Sequence, residues 1–148
     1  MTIFDMAGHL IRRLHQQSTY CFAQRTQAAG IDLTPVQYAV LRMLQDRPGI
    51  DQVTLAAAVA LDTSTTADLA ARLEAKGWIV RELLPRRQRA LSLTSEGEAM
   101  LARLVPGLER MHAQLFDGLD AAEQAELMRL LRKFVHLNND QSRAPLRG

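Results

Sequence analysis

Arg81-Glu82-Leu83-Leu84-Pro85-Arg86-Arg87-Gln88-Arg89-Ala90-Leu91-Ser92-Leu93-Thr94-Ser95-Glu96-Gly97 is the stretch that decides the fold, because it sets an arginine cluster in a tight loop between two short apolar runs. Trp78, Val80 and Glu82 to Leu84 on one side, with Ala90, Leu91 and Leu93 on the other, supply the strand pattern. A β-hairpin is predicted, with Arg86, Arg87 and Arg89 projecting from its tip. Thr94 to Glu98 opens a helix behind it, where Ser95 and Glu98 have capping-box spacing. Immediately upstream, Thr63 to Lys76 reads as a short polar-headed helix that stops at Gly77. A helix feeding directly into a basic hairpin is the order of a winged helix-turn-helix.

Working outward, Ala7, Leu10, Ile11, Leu14, Ser18, Cys21 and Phe22 fall at helical spacing, predicting a long first helix over Phe4 to Ala29 with Gly30 as its stop. Thr34-Pro35 is a cap followed by proline at the first helical position. It starts a second helix reaching about Arg47, whose buried face is Val36, Val40, Leu41 and Leu44. Asp51 or Gln52 starts a third through Val59, and Ala60-Leu61-Asp62 is a tight connection into the fourth at Thr63. A fifth helix carries Met100, Leu101, Leu104, Leu108, Met111, Leu115 and Phe116, with Pro106-Gly107 expected to bend it without ending it. Asp120 and Glu123 cap a sixth, whose apolar face is Leu127, Leu130, Leu131, Phe134 and Leu137; the tail from Asn138 is expected to fray. The first, fifth and sixth helices are too long and apolar for so small a core to cover. A symmetric dimer packing them against their copies is the economical expectation.

The 148 residues allow one compact domain and no second full one. No apolar run approaches a membrane span, and the N-terminal order is not that of a secretory signal, so a soluble, cytoplasmic protein with no membrane partner is expected. The lone Cys21 excludes an internal disulfide framework. The four histidines, His9, His15, His112 and His136, have neither i,i+4 spacing nor a cysteine set nearby, so no metal is expected. Net charge is only +2, but its distribution is uneven: Arg72 to Arg89 carries a local balance of +4, and Ser95 to Glu126 one of −5. A basic region on an otherwise acidic chain suits a polyanionic partner. Sixteen arginines against two lysines suit forked contacts to phosphate or guanine.

Four segments in this order resemble the MarR family of bacterial transcriptional regulators: Asp32-Leu33-Thr34-Pro35-Val36-Gln37-Tyr38, Pro48-Gly49-Ile50-Asp51-Gln52, Arg72-Leu73-Glu74-Ala75-Lys76-Gly77, and Arg86-Arg87 followed by Leu93 to Gly97. The resemblance covers nearly the whole chain. It implies a mainly α fold with a small β-hairpin wing, with residues 34–97 as the winged helix-turn-helix lobe and 1–30 and 98–148 as dimerisation helices. The implied function is a homodimeric repressor on a pseudo-palindromic double-stranded operator, with no enzymatic activity and no cofactor. The family's wing usually reads Asp-Arg-Arg, and here Pro85 stands in the aspartate's place, leaving Arg87 without the group that would orient it.

In this reading Thr63, Ser64, Thr65 and Thr66 at the exposed head of the fourth helix reach into a major groove, Arg72 meets the backbone, and Arg86, Arg87 and Arg89 enter the neighbouring minor groove. The family's habit of binding small aromatic acids implies a carboxylate pocket between the DNA-binding lobe and the terminal helices. Arginine is the best planar partner for such a group. Candidates are His9, Arg12, Arg13, His15 and Ser18 on the first helix and Arg42 inside the apolar run of the second, with Tyr38, Phe4 and Phe22 available to stack. The alternative is that Arg12 and Arg13 are merely solvated and His15 flanks the core. Cys21-Phe22-Ala23 resembles the family's peroxide-sensing branch, but at a different register, which favours a buried structural cysteine over a thiol redox sensor. No Gly-rich phosphate loop, GxSxG or paired-carboxylate constellation supports an enzyme. A non-sequence-specific architectural or protein-interaction module remains the other class, separable by a footprint at one discrete site.

Overall fold

The computed structural model describes residues 1–138. A short 3-10 turn at Ile3–Asp5 precedes α1 (Ala7–Ala28), so the first helix starts later than its apolar spacing suggested. There follow α2 (Pro35–Asp46), β1 (Ile50–Asp51), α3 (Gln52–Ala58), α4 (Thr63–Ala75), β2 (Ile79–Leu83), β3 (Arg89–Leu93), α5 (Ser95–Leu115) and α6 (Ala121–Leu137). The expected tail beyond Asn138 lies outside the described residues. No helix among the described residues is long and apolar enough to cross a membrane.

The caps set most boundaries. Thr34 accepts from the Gln37 N–H while the Gln37 side chain returns to the Thr34 N–H, and Asp120 with Glu123 does the same for α6. At the end of α4, Gly77 takes a left-handed φ of 79°, its N–H reaching the Glu74 carbonyl and that of Trp78 the Leu73 carbonyl. This paired arrangement satisfies two orphan carbonyls and turns the chain directly into the wing. The cap of α5 is Thr94, whose side chain accepts from the Gly97 N–H, and not the Ser95 and Glu98 pair. Thr94 wins because its hydroxyl also donates to the Gly77 carbonyl at 2.5 Å, tying the start of α5 to the end of α4. Helix α5 runs through Pro106 unbroken to Leu115.

The sheet is antiparallel with order β1-β3-β2. In the hairpin Ile79 faces Leu93 and Leu83 faces Arg89, and the two-residue β1 pairs Ile50 with Leu91. The inward residue of β2 is Ile79, while Val80 is 40% exposed, so the strand sits one residue out of phase with the alternation expected from Trp78 and Val80. Val40, Leu41 and Leu44 of α2, Leu55 of α3, Ala70 and Leu73 of α4, and Leu101, Leu104 and Leu108 of α5 close over Leu91 and Ile79 in one core. Val36 is exposed at the head of α2 rather than on its buried face. The terminal helices take little part: α6 buries no residue at all, and α1 only Phe22 and Thr26.

Candidate nucleic-acid interface and effector cavity

Asp62 caps α4 by accepting from the Thr65 N–H at 2.7 Å and from the Thr65 hydroxyl at 2.9 Å. Thr63, Ser64 and Thr65 are exposed there, at the positive end of the helix dipole. Thr66 is different. It is fully buried and its hydroxyl donates to the Asp62 carbonyl at 2.8 Å, so it cannot be a contact of an exposed helix head and is withdrawn from that set. It faces inward with Ala70 and Leu73, four and seven residues on, and its methyl group fills core while its hydroxyl bonds to the backbone.

The six basic residues between Arg72 and Arg89 do not all remain available. Arg81 is spent: its guanidinium donates to Glu74 at 2.9 Å and its backbone N–H to the other oxygen of the same carboxylate at 3.1 Å. That contact locks the last turn of α4 to the first wing strand. The Arg81 side-chain hydrogen bond holds the Glu74 carboxyl below the usual glutamate range, against a smaller opposing effect of desolvation. Lys76 donates to the Asp32 carbonyl and lies 4.9 Å over the Trp78 ring, so it braces the loop between α1 and α2. Arg72, Arg86, Arg87 and Arg89 are left exposed.

The wing tip is a second short 3-10 turn, Pro85–Arg87, closed by the Leu84 N–H on the Gln88 carbonyl at 2.6 Å. Proline fixes the entry, and Arg86 and Arg87 then both take left-handed φ values, 66° and 59°. Two non-glycine residues there cost about 1–2 kcal/mol each, a strain held in the short loop between Leu83 and Arg89, where both side chains are exposed. Arg87 and Arg89 line a small recess of about 180 Å³ with Asp51, Gln52 and Val53 at the head of α3. The Asp51 carboxylate there accepts from the Thr54 hydroxyl and N–H, which lower its pKa, and among the described residues it forms no ion pair with a wing arginine.

The ligand candidates separate into two places. Tyr38 and Arg42 line a cavity of about 390 Å³ with Phe22, Leu108, Glu109, Met111 and His112. Phe22 and Tyr38 form a tilted ring pair at 5.7 Å, and His112 stands edge-on to Phe116 at 5.8 Å. The cavity therefore opens between α2 and α5, with α1 supplying only Phe22. His9, Arg12, Arg13, His15 and Ser18 line no part of it. Arg12, Arg13 and His15 are exposed, while His9 packs edge-on against the Phe4 ring at 5.8 Å with its Nε2 buried and, among the described residues, without a hydrogen-bond partner. Glu109 and His112 were missed because α5 meets α2 only in three dimensions. The usable signal was their position beside Leu108 and Met111 on the helix's apolar stripe. Cys21 is half-buried and packs against the core.

A helix-turn-helix followed by an arginine-tipped wing that Arg81 and Glu74 clamp to its second helix is the architecture of a DNA-binding transcriptional regulator. The comparisons give the same class. The MarR family model matches residues 33–91. The transcriptional regulator HosA of Escherichia coli O157:H7 is 38% identical over 138 residues, covering 92% of this chain and 99% of that protein. The structure of PcaV from Streptomyces coelicolor with its natural ligand is similar at a TM-score of 0.83 and 33% identity, over 91% of this chain and 95% of that one. BpsR from Bordetella bronchiseptica, whose DNA binding is regulated by 6-hydroxynicotinic acid, is similar at a TM-score of 0.80 and 30% identity, over 90% and 96% of the two chains. The chain belongs to the MarR family, whose members are DNA-binding regulators and not enzymes.

Proposed function

We propose that this regulator is a cytoplasmic, ligand-responsive repressor that binds a pseudo-palindromic operator as a homodimer and is released by a small aromatic carboxylate. The observation that carries the reading is the cavity between α2 and α5. It places one guanidinium, Arg42, beside a tilted pair of aromatic rings and an imidazole, a lining that suits a planar acid. Its volume of about 390 Å³ falls in the usual range for small-molecule sites. Because α2 belongs to the DNA-binding lobe and α5 leads into the terminal helices, a ligand wedged between them can favour one relative setting of the two. BpsR is a relative in which a heteroaromatic acid regulates DNA binding.

The dimer rests on a second groove, about 450 Å³, that Ala7, Ile11, Leu130, Leu131, Phe134 and Leu137 line along α1 and α6. Ile11, Leu130, Phe134 and Leu137 are between 46% and 69% exposed, an apolar face that a single chain leaves wet. On this reading residues 1–30 and the described residues from 98 onward form the dimerisation part and 34–97 the DNA-binding lobe. Thr63, Ser64 and Thr65 enter a major groove, Arg72 meets backbone, and Arg86, Arg87 and Arg89 reach the flanking minor groove.

The test is to titrate benzoate, salicylate, hydroxycinnamate and indole-acetate acids into the operator complex and, by calorimetry, into the free protein. One of them should bind the free protein and weaken DNA binding about 5- to 150-fold. Arg42→Ala should abolish that release while leaving ligand-free operator affinity intact. Arg12 and Arg13 line no part of the cavity in this chain, so blunted release in their alanine variants would point to a second copy completing the site. If no acid binds the free protein, or if Arg42→Ala releases as the parent does, the effector assignment fails.

A further inference from the structure

Helix α4 has an outward ridge that the head residues alone do not describe. Thr66, Ala70 and Leu73 are buried on one side. At about 100° per residue, Ser64, Asp68, Ala71 and Ala75 fall within a span of about 60° on the opposite side, with Thr65 and Arg72 on one flank. All four are exposed. Ser64 is short, and Ala71 and Ala75 are methyl groups, which lets the helix approach another surface closely. Asp68, in the second turn, is the one side chain on that ridge that carries polar atoms beyond the helix head.

Asp68 has no hydrogen bond or ion pair among the described residues, and Arg72, one turn further on, does not pair with it. A carboxylate in the middle of a DNA-facing ridge is repelled by every phosphate it passes. It therefore lowers affinity for DNA in general and recovers it only where a base offers a donor. In the major groove cytosine presents its N4 amino group as a donor, which Asp and Glu accept, whereas adenine sets its N6 donor beside an N7 acceptor that opposes a carboxylate. One residue then supplies both the attraction to the right site and the rejection of the wrong ones.

Resting on the operator-binding reading above, we propose that Asp68 is a specificity-determining residue that accepts a hydrogen bond from N4 of one cytosine in each half-site and disfavours duplexes that lack it. The experiment is selection from a randomised duplex library with the full-length protein, Asp68→Ala and Asp68→Asn, together with affinity for an unrelated duplex at the same salt. The parent should enrich cytosine at one position of each half-site, discriminating about 5- to 150-fold against the other bases. Asp68→Ala should lose that preference alone, keep the rest of the site, and bind the unrelated duplex more tightly. Asp68→Asn should exchange cytosine for adenine, whose N6 and N7 an amide matches. An unchanged base preference in Asp68→Ala overturns the inference and leaves the regulator intact, even if non-specific binding rises. Loss of preference at a base other than cytosine overturns it too. If the parent enriches no site at all, the operator-binding reading falls first and this one with it.

Discussion

Replacing Arg86, Arg87 and Arg89 tests the wing by charge, provided the loop keeps its shape. Arg86 sits at φ 66°, ψ 26° and Arg87 at φ 59°, a region that glycine occupies without cost and alanine does not. Two triple variants separate charge from strain: Arg86→Gly/Arg87→Gly/Arg89→Ala, which relieves the backbone, and the all-alanine version, which retains the strain. The pairing of Leu83 with Arg89 is backbone and survives in both. If each arginine neutralises one phosphate, the slope of log K against log salt falls by about 0.9 per residue, about 5 for the six arginines of a dimer. Between 50 and 200 mM salt the parent should then lose about a thousandfold more affinity than either variant. The assay is fluorescence anisotropy on a labelled operator across that range, with circular dichroism to confirm folding. Equal slopes in parent and both variants would refute the wing as a DNA contact, and a fall only in the all-alanine protein would show that loop distortion, not charge, was responsible.

Two further outcomes test the clamps that hold the interface. The Glu74 carboxyl is held below its ordinary value by Arg81, so its contribution to stability is fully present above the unfolded glutamate value of about 4.3 and is lost as the pH falls through the lower folded value. Glu74→Gln should cost about 0.5–1 kcal/mol at pH 7, a figure discounted for the solvent that reaches this side chain, and the two denaturation midpoints should converge in acid; a constant gap down to pH 3 would contradict the assignment. Gly97 lies under the Trp78 carbonyl, where an added Cβ would stand 2.1 Å from the oxygen. Helix propensity alone would make Gly97→Ala a gain of about 1 kcal/mol, whereas overpacking predicts a loss of about 1–3 kcal/mol or more in urea denaturation.

The helices and the hairpin were legible because their signals are local: Thr34-Pro35, Asp120 with Glu123, and the stops at Gly30 and Gly77 all act within one turn of chain. Strand β1 was not, since two residues carry no periodicity and Ile50 becomes a strand only by meeting Leu91. Thr66 was misplaced by composition, a polar residue in a polar run, although its i+4 and i+7 partners Ala70 and Leu73 marked it as inward. The same counting would have found Asp68 on the outer face. The candidate cavity between α2 and α5 was half legible in the sequence. Tyr38 and Arg42 lie in it, but the cluster around Arg12 was assembled from neighbours in sequence, and Glu109 and His112 come from a helix some seventy residues further along. The Arg81 charge was counted as available for a polyanion because nothing in the sequence shows that Glu74 lies against it.

The surface formed by the α4 head and the wing is the centre of this account, and hydroxyl-radical footprinting of its operator with the parent and the Arg86→Gly/Arg87→Gly/Arg89→Ala variant tests it most directly. The parent should protect two symmetric patches whose centres lie one helical turn apart, about 34–36 Å, or a multiple of it. Each should be flanked by a protected stretch of minor groove that disappears in the wing variant while the central patches remain. Diffuse protection with no discrete site, or an identical footprint for both proteins, would contradict it.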